Sequence, residues 1–259
     1  MTDPQDNSQT QGEMPLIEHL LELRNRLLKM VLAVVICFAA IYPFANELYL
    51  WVSEPLRSLL PVGQTMIATD VTSPFFAPLK LALVLAVFVA IPVILFQLWS
   101  FIAPGLYAHE KRLAFPLLFT SILLFYLGTA FAYFVVFPLV FGFFTAIGPE
   151  GIVELPDISS YLNFVLKMFF AFGVAFEIPI ATILLILTGA TTPADLAQKR
   201  PYIVVGCFVV GMLLTPPDII SQTLLALPMW LLFELGILFG RLAQRDTAAP
   251  DDPDTPTDP

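Results

Sequence analysis

The stretch FAFGVAFEIPIATILLIL, residues 170–187, carries one ionisable side chain, Glu177, in an otherwise almost wholly apolar run. About 20 mainly apolar residues are needed to cross roughly 30 Å of hydrocarbon, so the run from Leu162 to Leu187 reads as a membrane-spanning helix. A carboxylate at that depth is costly, which places Glu177 against a protein cleft, a partner or water. Pro179 follows it and leaves a carbonyl one turn earlier without its donor, which can bend the helix. The structural alternative is a protonated Glu177 hydrogen-bonded between helices.

The rest of the chain supports a membrane reading. Of its 259 residues 58% are hydrophobic and only 13% charged, and the mean hydropathy is +0.84. That is far more apolar surface than one soluble core hides, and it comes in blocks. Three further blocks, approximately Leu27–Phe44, Leu79–Leu98 and Leu113–Phe137, are long enough to span. The last two, Tyr202–Thr215 and Ile219–Phe239, are separated by LLTPPDII, where Pro216 and Pro217 cannot continue a helix. An all-α membrane protein is expected, with six transmembrane helices and a tight hairpin between short helices five and six. Tyr202–Thr215 reaches only about 21 Å at 1.5 Å per residue, so either the bilayer thins around it, or snorkelling side chains and neighbouring helices shield the mismatch, or the helix extends back through Lys199 and Arg200.

Lysine and arginine set the orientation. Arg24, Arg26, Lys29, Lys111, Arg112, Lys199, Arg200, Arg241 and Arg245 fall on one side, and Arg57 with the border residues Lys80 and Lys167 on the other. Both termini are therefore expected in the cytoplasm. Residues 1–14 read as a disordered polar tail, 15–241 as the transmembrane domain and 242–259 as an acidic disordered tail. Residues 1–14 lack the basic start and apolar core of a secretory signal. The two tails hold much of the net charge of −9, which therefore says nothing about partners of the membrane part.

Several function classes are disfavoured. The two histidines, His19 and His109, lie in predicted cytoplasmic segments, away from any intramembrane protease or zinc site. No GxxxxGK[ST] phosphate loop, GxGD-type aspartate pair or internal repeat is visible. Cys37 and Cys207 fall inside predicted spans and read as packing residues, with no disulfide or metal site. No enzymatic activity and no cofactor are expected.

Polar residues gather in three places. PLIEHLLELRNRLLKM, residues 15–30, is an amphipathic lead-in to the first span in which Glu22 precedes Arg26 by four, the favourable order for a helical ion pair. SFIAPGLYAHEKR, residues 100–112, puts Glu110 beside Lys111 and Arg112. Read alone, the first group is also explained by interfacial anchoring and the second by topogenic charge. The third group is Glu177 together with Thr215, Asp218 and Gln222 near the hairpin.

ELRNR (22–26), TMIATDVTSPFFAPLKL (65–81), FIAPGLYAHEKR (101–112), FYLGTAFAYFVVFPLVFGFF (125–144), FGVAFEIP (172–179), KRPYIVVG (199–206) and VVGMLLTPPDIISQTLLALP (209–228) resemble the TatC family, the multi-spanning subunit of the twin-arginine protein translocase. The resemblance runs from Pro15 to Arg241. It implies six helices with both ends cytoplasmic in the bacterial inner membrane, and a role in recognising twin-arginine signal peptides of folded cargo. It also implies the single-span partners TatA and TatB and the proton-motive force as energy source. Further copies of the chain and membrane lipids are expected in the complex, and no nucleic acid.

The resemblance places the signal-peptide site at Glu22 and Glu110, with Arg24 and Phe101 shaping it. A guanidinium fork pairs with a carboxylate through two parallel hydrogen bonds, a geometry lysine cannot copy. Met212, Thr215 and Gln222 map to a docking patch for partner helices. Pro216, Pro217 and Asp218 form the hairpin turn, where Asp218 is also a candidate helix cap. The alternatives from the residues alone are a proton-coupled small-solute carrier using Glu177 and a non-transporting scaffold.

Overall fold

The computed structural model describes residues 7–58, 66–102, 111–147, 156–214 and 219–247. Among the described residues the chain is all-helical, with one isolated parallel bridge between Ile67 and Asp157. Among the described residues five helical segments are long and apolar enough to cross a membrane: Leu20–Arg57, Ser73–Phe101, Phe115–Phe143, Ile158–Leu187 and Leu225–Leu242. A shorter apolar helix covers Arg200–Leu213. The chain is thus a multi-spanning membrane protein. It clusters into two compact units, residues 1–122 with 148–166, and residues 123–147 with 167–259.

In the first unit α1 (Asn7–Ile41) passes through a short 3-10 turn at Tyr42–Phe44 into α2 (Ala45–Val52) and α3 (Glu54–Arg57). Helix α1 begins upstream of Pro15, where the amphipathic pattern starts. It packs along α4 (Ser73–Ile102), whose Ala77, Leu81, Ala82, Ala86 and Ala90 are all buried. Small side chains let helix backbones approach closely where lipid supplies no hydrophobic drive of its own. The outward face of α1, including Leu28, Leu32 and Ile36, stays exposed and suits lipid.

The Ser73 end of this unit is closed by hydrogen bonds across long sequence separations. Ile67 N–H donates to Pro156 O at 3.1 Å and Ile158 N–H to Ile67 O at 2.9 Å. Asp157 Oδ1 accepts from Thr69 N–H at 3.0 Å and from its hydroxyl at 2.8 Å. Asp157 Oδ2 accepts from Ser160 N–H at 2.8 Å, which makes Asp157 the N-cap of α7 (Ile158–Ala175). Tyr161 donates to Val52 O at 3.0 Å, fastening α7 to the end of α2.

The backbone N–H groups of Thr69 and Ser160, then the Thr69 hydroxyl, hold the Asp157 carboxyl well below the usual carboxylate range. A depressed folded-state pKa means stabilisation that is complete above the unfolded value, near 4, and is lost as pH falls below it. Asp157→Ala is expected to lower the melting temperature of the solubilised chain at pH 7 by about 2–4 °C, the scale of one lost N-cap. The gap between variant and parent should narrow as pH falls from about 5 towards 3. A gap independent of pH over that range would show that the ionised carboxylate is not the stabilising form.

The third apolar run is continuous but not regular. Helix α5 (Lys111–Phe131) passes into a π-helical stretch, Ala132–Val136, and then α6 (Phe137–Ile147). Phe137 N–H bonds to Ala132 O, five residues back. Pro138 explains the wider turn, because it has no N–H and its ring crowds the carbonyl four residues earlier.

The fourth apolar run is two helices. Helix α7 ends at Ala175, and α8 (Ile178–Leu187) begins after a turn at Phe176–Glu177. Pro179 lacks the N–H that would bond Ala175 O, while Glu177 N–H turns to Val174 O at 3.0 Å. Helix α8 packs against α11 (Ile219–Thr247). At Gly236 a side chain would lie 2.9 Å from both Pro179 Cα and Thr182 Cβ, so this crossing needs glycine.

Thr192 caps the short α9 (Pro193–Gln198) by accepting from Asp195 N–H at 3.1 Å. Helix α10 (Arg200–Leu214) then packs along α11. Its 15 residues reach about 22 Å, so the helix begins at Arg200 yet stays short for a bilayer. Arg200 Nε and Nη2 donate to Glu234 Oε1 and Oε2 at 2.6 and 2.7 Å, a fork-to-fork pair joining the first turn of α10 to α11. The turn residues Thr215, Pro216, Pro217 and Asp218 lie outside the described residues.

Candidate functional site

Glu22 sits on α1 with its side chain 42% exposed, while that of Arg26, one turn on, is 19% exposed. Arg26 Nε and Nη2 both donate to Glu22 Oε1, Nε at 2.9 Å. The convergence on one oxygen leaves Oε2 with no donor among the described residues. Arg26 Nη2 also donates to Ser100 O at 3.1 Å, with Nη1 at 3.5 Å from Gln97 O and Gln97 Oε1.

Ser100 is in the last turn of α4, where carbonyls have no helical partner and the helix dipole favours a cation. Arg26 is therefore both the C-terminal cap of α4 and the brace of Glu22. The carboxylate, Asn25, Arg26 and Lys29 line a recess of 420 Å³. The recess is thus lined by a carboxylate that Arg26 engages through one oxygen.

The other members of the predicted site are distributed unevenly. Arg24 is exposed and among the described residues donates only to the neighbouring Asn25 Oδ1, at 3.3 Å, so it does not join the Glu22–Arg26 pair. Phe101 is half-buried in the final residues of α4, the helix end that Arg26 caps. Glu110 lies outside the described residues.

The intramembrane group separates into two places. Glu177 is half-buried at the turn between α7 and α8, with Oε1 withdrawn from solvent. It occupies the N-cap position of α8 without a side-chain capping bond, at the end of that helix where the dipole favours negative charge. Phe170, Val174 and Ile178 line an adjoining groove of 470 Å³ with Val210 and Met229, and Lys167 stands at its edge.

Met212 projects from α10 and is 51% exposed. Gln222 is half-buried on α11, and its backbone oxygen would lie 3.5 Å from a Cβ at Gly211. Gln222 thus belongs to the contact region of α10 and α11, beside Gly211, whereas Met212 is the next residue along α10 and stays exposed. Thr215 lies outside the described residues. Among the described residues no group of three or more metal-ligating side chains occurs.

In the sequence Arg26 reads as a cytoplasmic-side cation and as the ion-pair partner of Glu22; its bond to α4 was not legible. It also passed over Glu234 within LLFELGILF, where a lone carboxylate in an apolar run is the same signal that singled out Glu177.

The model for "Sec-independent protein translocase protein (TatC)" matches residues 18–228. The chain belongs to the TatC family. A TatC of Azotobacter chroococcum is 59% identical over 258 residues, covering 99% of this chain and 100% of that relative. TatC of Escherichia coli K12 is 59% identical over 227 residues, 88% of each chain. A crystal structure of the twin-arginine translocase receptor TatC matches with a TM-score of 0.78 at 41% identity, covering 88% of this chain and all of that one. The likeness therefore extends through the elements that carry Glu22, Phe101, Glu177, Met212 and Gln222.

Proposed function

We infer that the chain is the core receptor and organising subunit of the twin-arginine translocase, a TatC protein of the bacterial inner membrane and not an enzyme. It binds twin-arginine signal peptides of folded cargo at its cytoplasmic face. The observation that carries this reading is Glu22, which lines the recess and is braced through Oε1 by Arg26, with no donor to Oε2 among the described residues. Glu110 supplies the second carboxylate, and Arg24 and Phe101 shape the surroundings. The apolar part of the signal peptide contributes sequence-tolerant affinity by lying against helices in the bilayer.

In this reading the membrane domain has six spans with both termini cytoplasmic, α10 and α11 forming a hairpin turned at Pro216, Pro217 and Asp218. The nine cytoplasmic-side cations from Arg24 to Arg245 support that orientation. Glu177, Met212, Thr215 and Gln222 face the single-span helices of TatA and TatB, for which the groove beside Ile178 and Val210 offers an apolar seat. Further copies of the chain complete the complex, and the proton-motive force drives transport. Residues 1–14 and 242–259 serve as polar tails.

The test is site-specific photocrosslinking in native membranes, with the probe next to the arginine pair of a signal peptide. The expected result is a crosslink to this chain that disappears when both arginines become lysines, because an ammonium cannot reproduce the planar fork. A crosslink indifferent to that exchange would remove the arginine-receptor reading. The carrier alternative would then be tested by solute uptake into vesicles holding the chain alone.

A further inference from the structure

At the Ser73 end of the first unit, opposite the Glu22 recess, α1, α4 and α7 enclose an open cavity of 790 Å³. Its floor is apolar and buried, with Ala77 at 3% and Leu162 at 1% exposure. Its rim is apolar and exposed, with Phe76 and Leu83 at 55% and 48%. From Phe76 to Leu83 the groove follows α4 for about 10 Å. Lys80 stands at its edge and donates to Asn163 Oδ1 at 2.6 Å, which orients the ammonium while occupying only one of its three donors. Among the described residues no carboxylate lies within salt-bridge range of Lys80, although Lys80 is the only cation lining the cavity.

We propose that this groove is a binding site for one anionic glycerophospholipid, with the Lys80 ammonium on the headgroup phosphate and an acyl chain along Ala77, Leu83 and Leu162. Charge and shape together select that occupant. A cation with no counter-charge among the described residues, at the end of an apolar channel, fits an amphiphile with an anionic head and a hydrocarbon tail. The Asn163 amide, held by Lys80 through its oxygen, keeps its N–H donors for the same phosphate. An apolar peptide helix would fill the groove and leave the ammonium uncompensated. The site is distinct from the signal-peptide recess, and its test uses the chain without any signal peptide, so that either reading can fail alone.

The test is native mass spectrometry of the full chain released from nanodiscs containing equal amounts of phosphatidylglycerol and phosphatidylcholine. The expected result is preferential retention of one phosphatidylglycerol, by about fivefold for a single lysine near the headgroups. Lys80→Gln should abolish the preference and Lys80→Arg should keep it. Leu83→Trp, at an exposed rim position, should reduce retention of both lipids by filling the groove. Equal retention of the two lipids by the parent chain, or an undiminished preference in Lys80→Gln, would overturn the site. A photoreactive probe at Leu83 in native membranes should give an adduct of lipid mass, and a predominant protein adduct would equally overturn it.

Discussion

Glu22→Ala is expected to weaken binding of a twin-arginine signal peptide to the purified chain by about 5- to 30-fold. A well-placed hydrogen bond to a charged group contributes about 1.5–3 kcal/mol, and an exposed ion pair about 0–1 kcal/mol. The Glu22 side chain is 42% exposed, which sets the contribution between those cases, at about 1–2 kcal/mol, and each 1.4 kcal/mol is tenfold. Arg26→Gln should weaken binding through a different route. It keeps Glu22 but removes the donors that fix Oε1 and cap Ser100 O, so the carboxylate loses its fixed position over the end of α4.

The discriminating readout is the peptide itself. Exchanging its two arginines for lysines should weaken binding to the parent chain but change little in Glu22→Ala combined with Glu110→Ala. Gln198→Ala, at an exposed position that does not line the recess, should leave affinity within about twofold, the scale of an ordinary surface substitution. Unchanged affinity in the Glu22, Glu110 double variant, with the protein correctly inserted, would discard the carboxylate site.

The second large effect belongs to the packing beneath Glu177. Gly128→Val is expected to lower the melting temperature of the solubilised chain by roughly 5–10 °C, from overpacking of about 1–3 kcal/mol or more. A Cβ at Gly128 would collide with the carbonyl oxygen of Phe172 and lie 2.9 Å from Cδ2 and Cγ of Phe176. The first obstacle is helix backbone, which cannot rotate away, and the second is a ring already packed against Phe131 with centroids 5.6 Å apart. Relief requires moving the last turn of α7, where Phe176 leads into the turn that carries Glu177.

Gly206→Ala is the matched control, since nothing lies within 4 Å of its Cβ and alanine favours helix over glycine. It should leave stability unchanged or slightly higher. Equal loss of stability in the two variants would mean that Gly128 is not a steric contact point.

Much of this protein is legible without coordinates because membrane insertion is a local test of composition. The apolar blocks ending near Phe44, Leu98 and Phe137 fall within helical spans, since each must satisfy its own backbone within the segment. Glu177 stood out for the same reason, as a charge inside such a block. Pro179 accounts for the bend there, though periodicity alone did not reveal that α7 and α8 are separate helices. The π-helical stretch before Pro138 was likewise invisible, because hydropathy does not register a change from four-residue to five-residue hydrogen bonding.

Composition thus determined the solvent and the multi-spanning helical class, charge inside apolar blocks the candidate carboxylates, and ordered motifs the family. Tertiary structure decided which polar groups meet. Arg26 reaches Ser100 across 74 residues, Thr69 reaches Asp157 across 88, and Arg200 reaches Glu234 across 34. Each pair joins segments whose own patterns are self-sufficient, so neither partner's neighbourhood carries a trace of the other. Hydropathy is summed along the chain, whereas a hydrogen bond between helices depends on their relative register and rotation, which only packing sets.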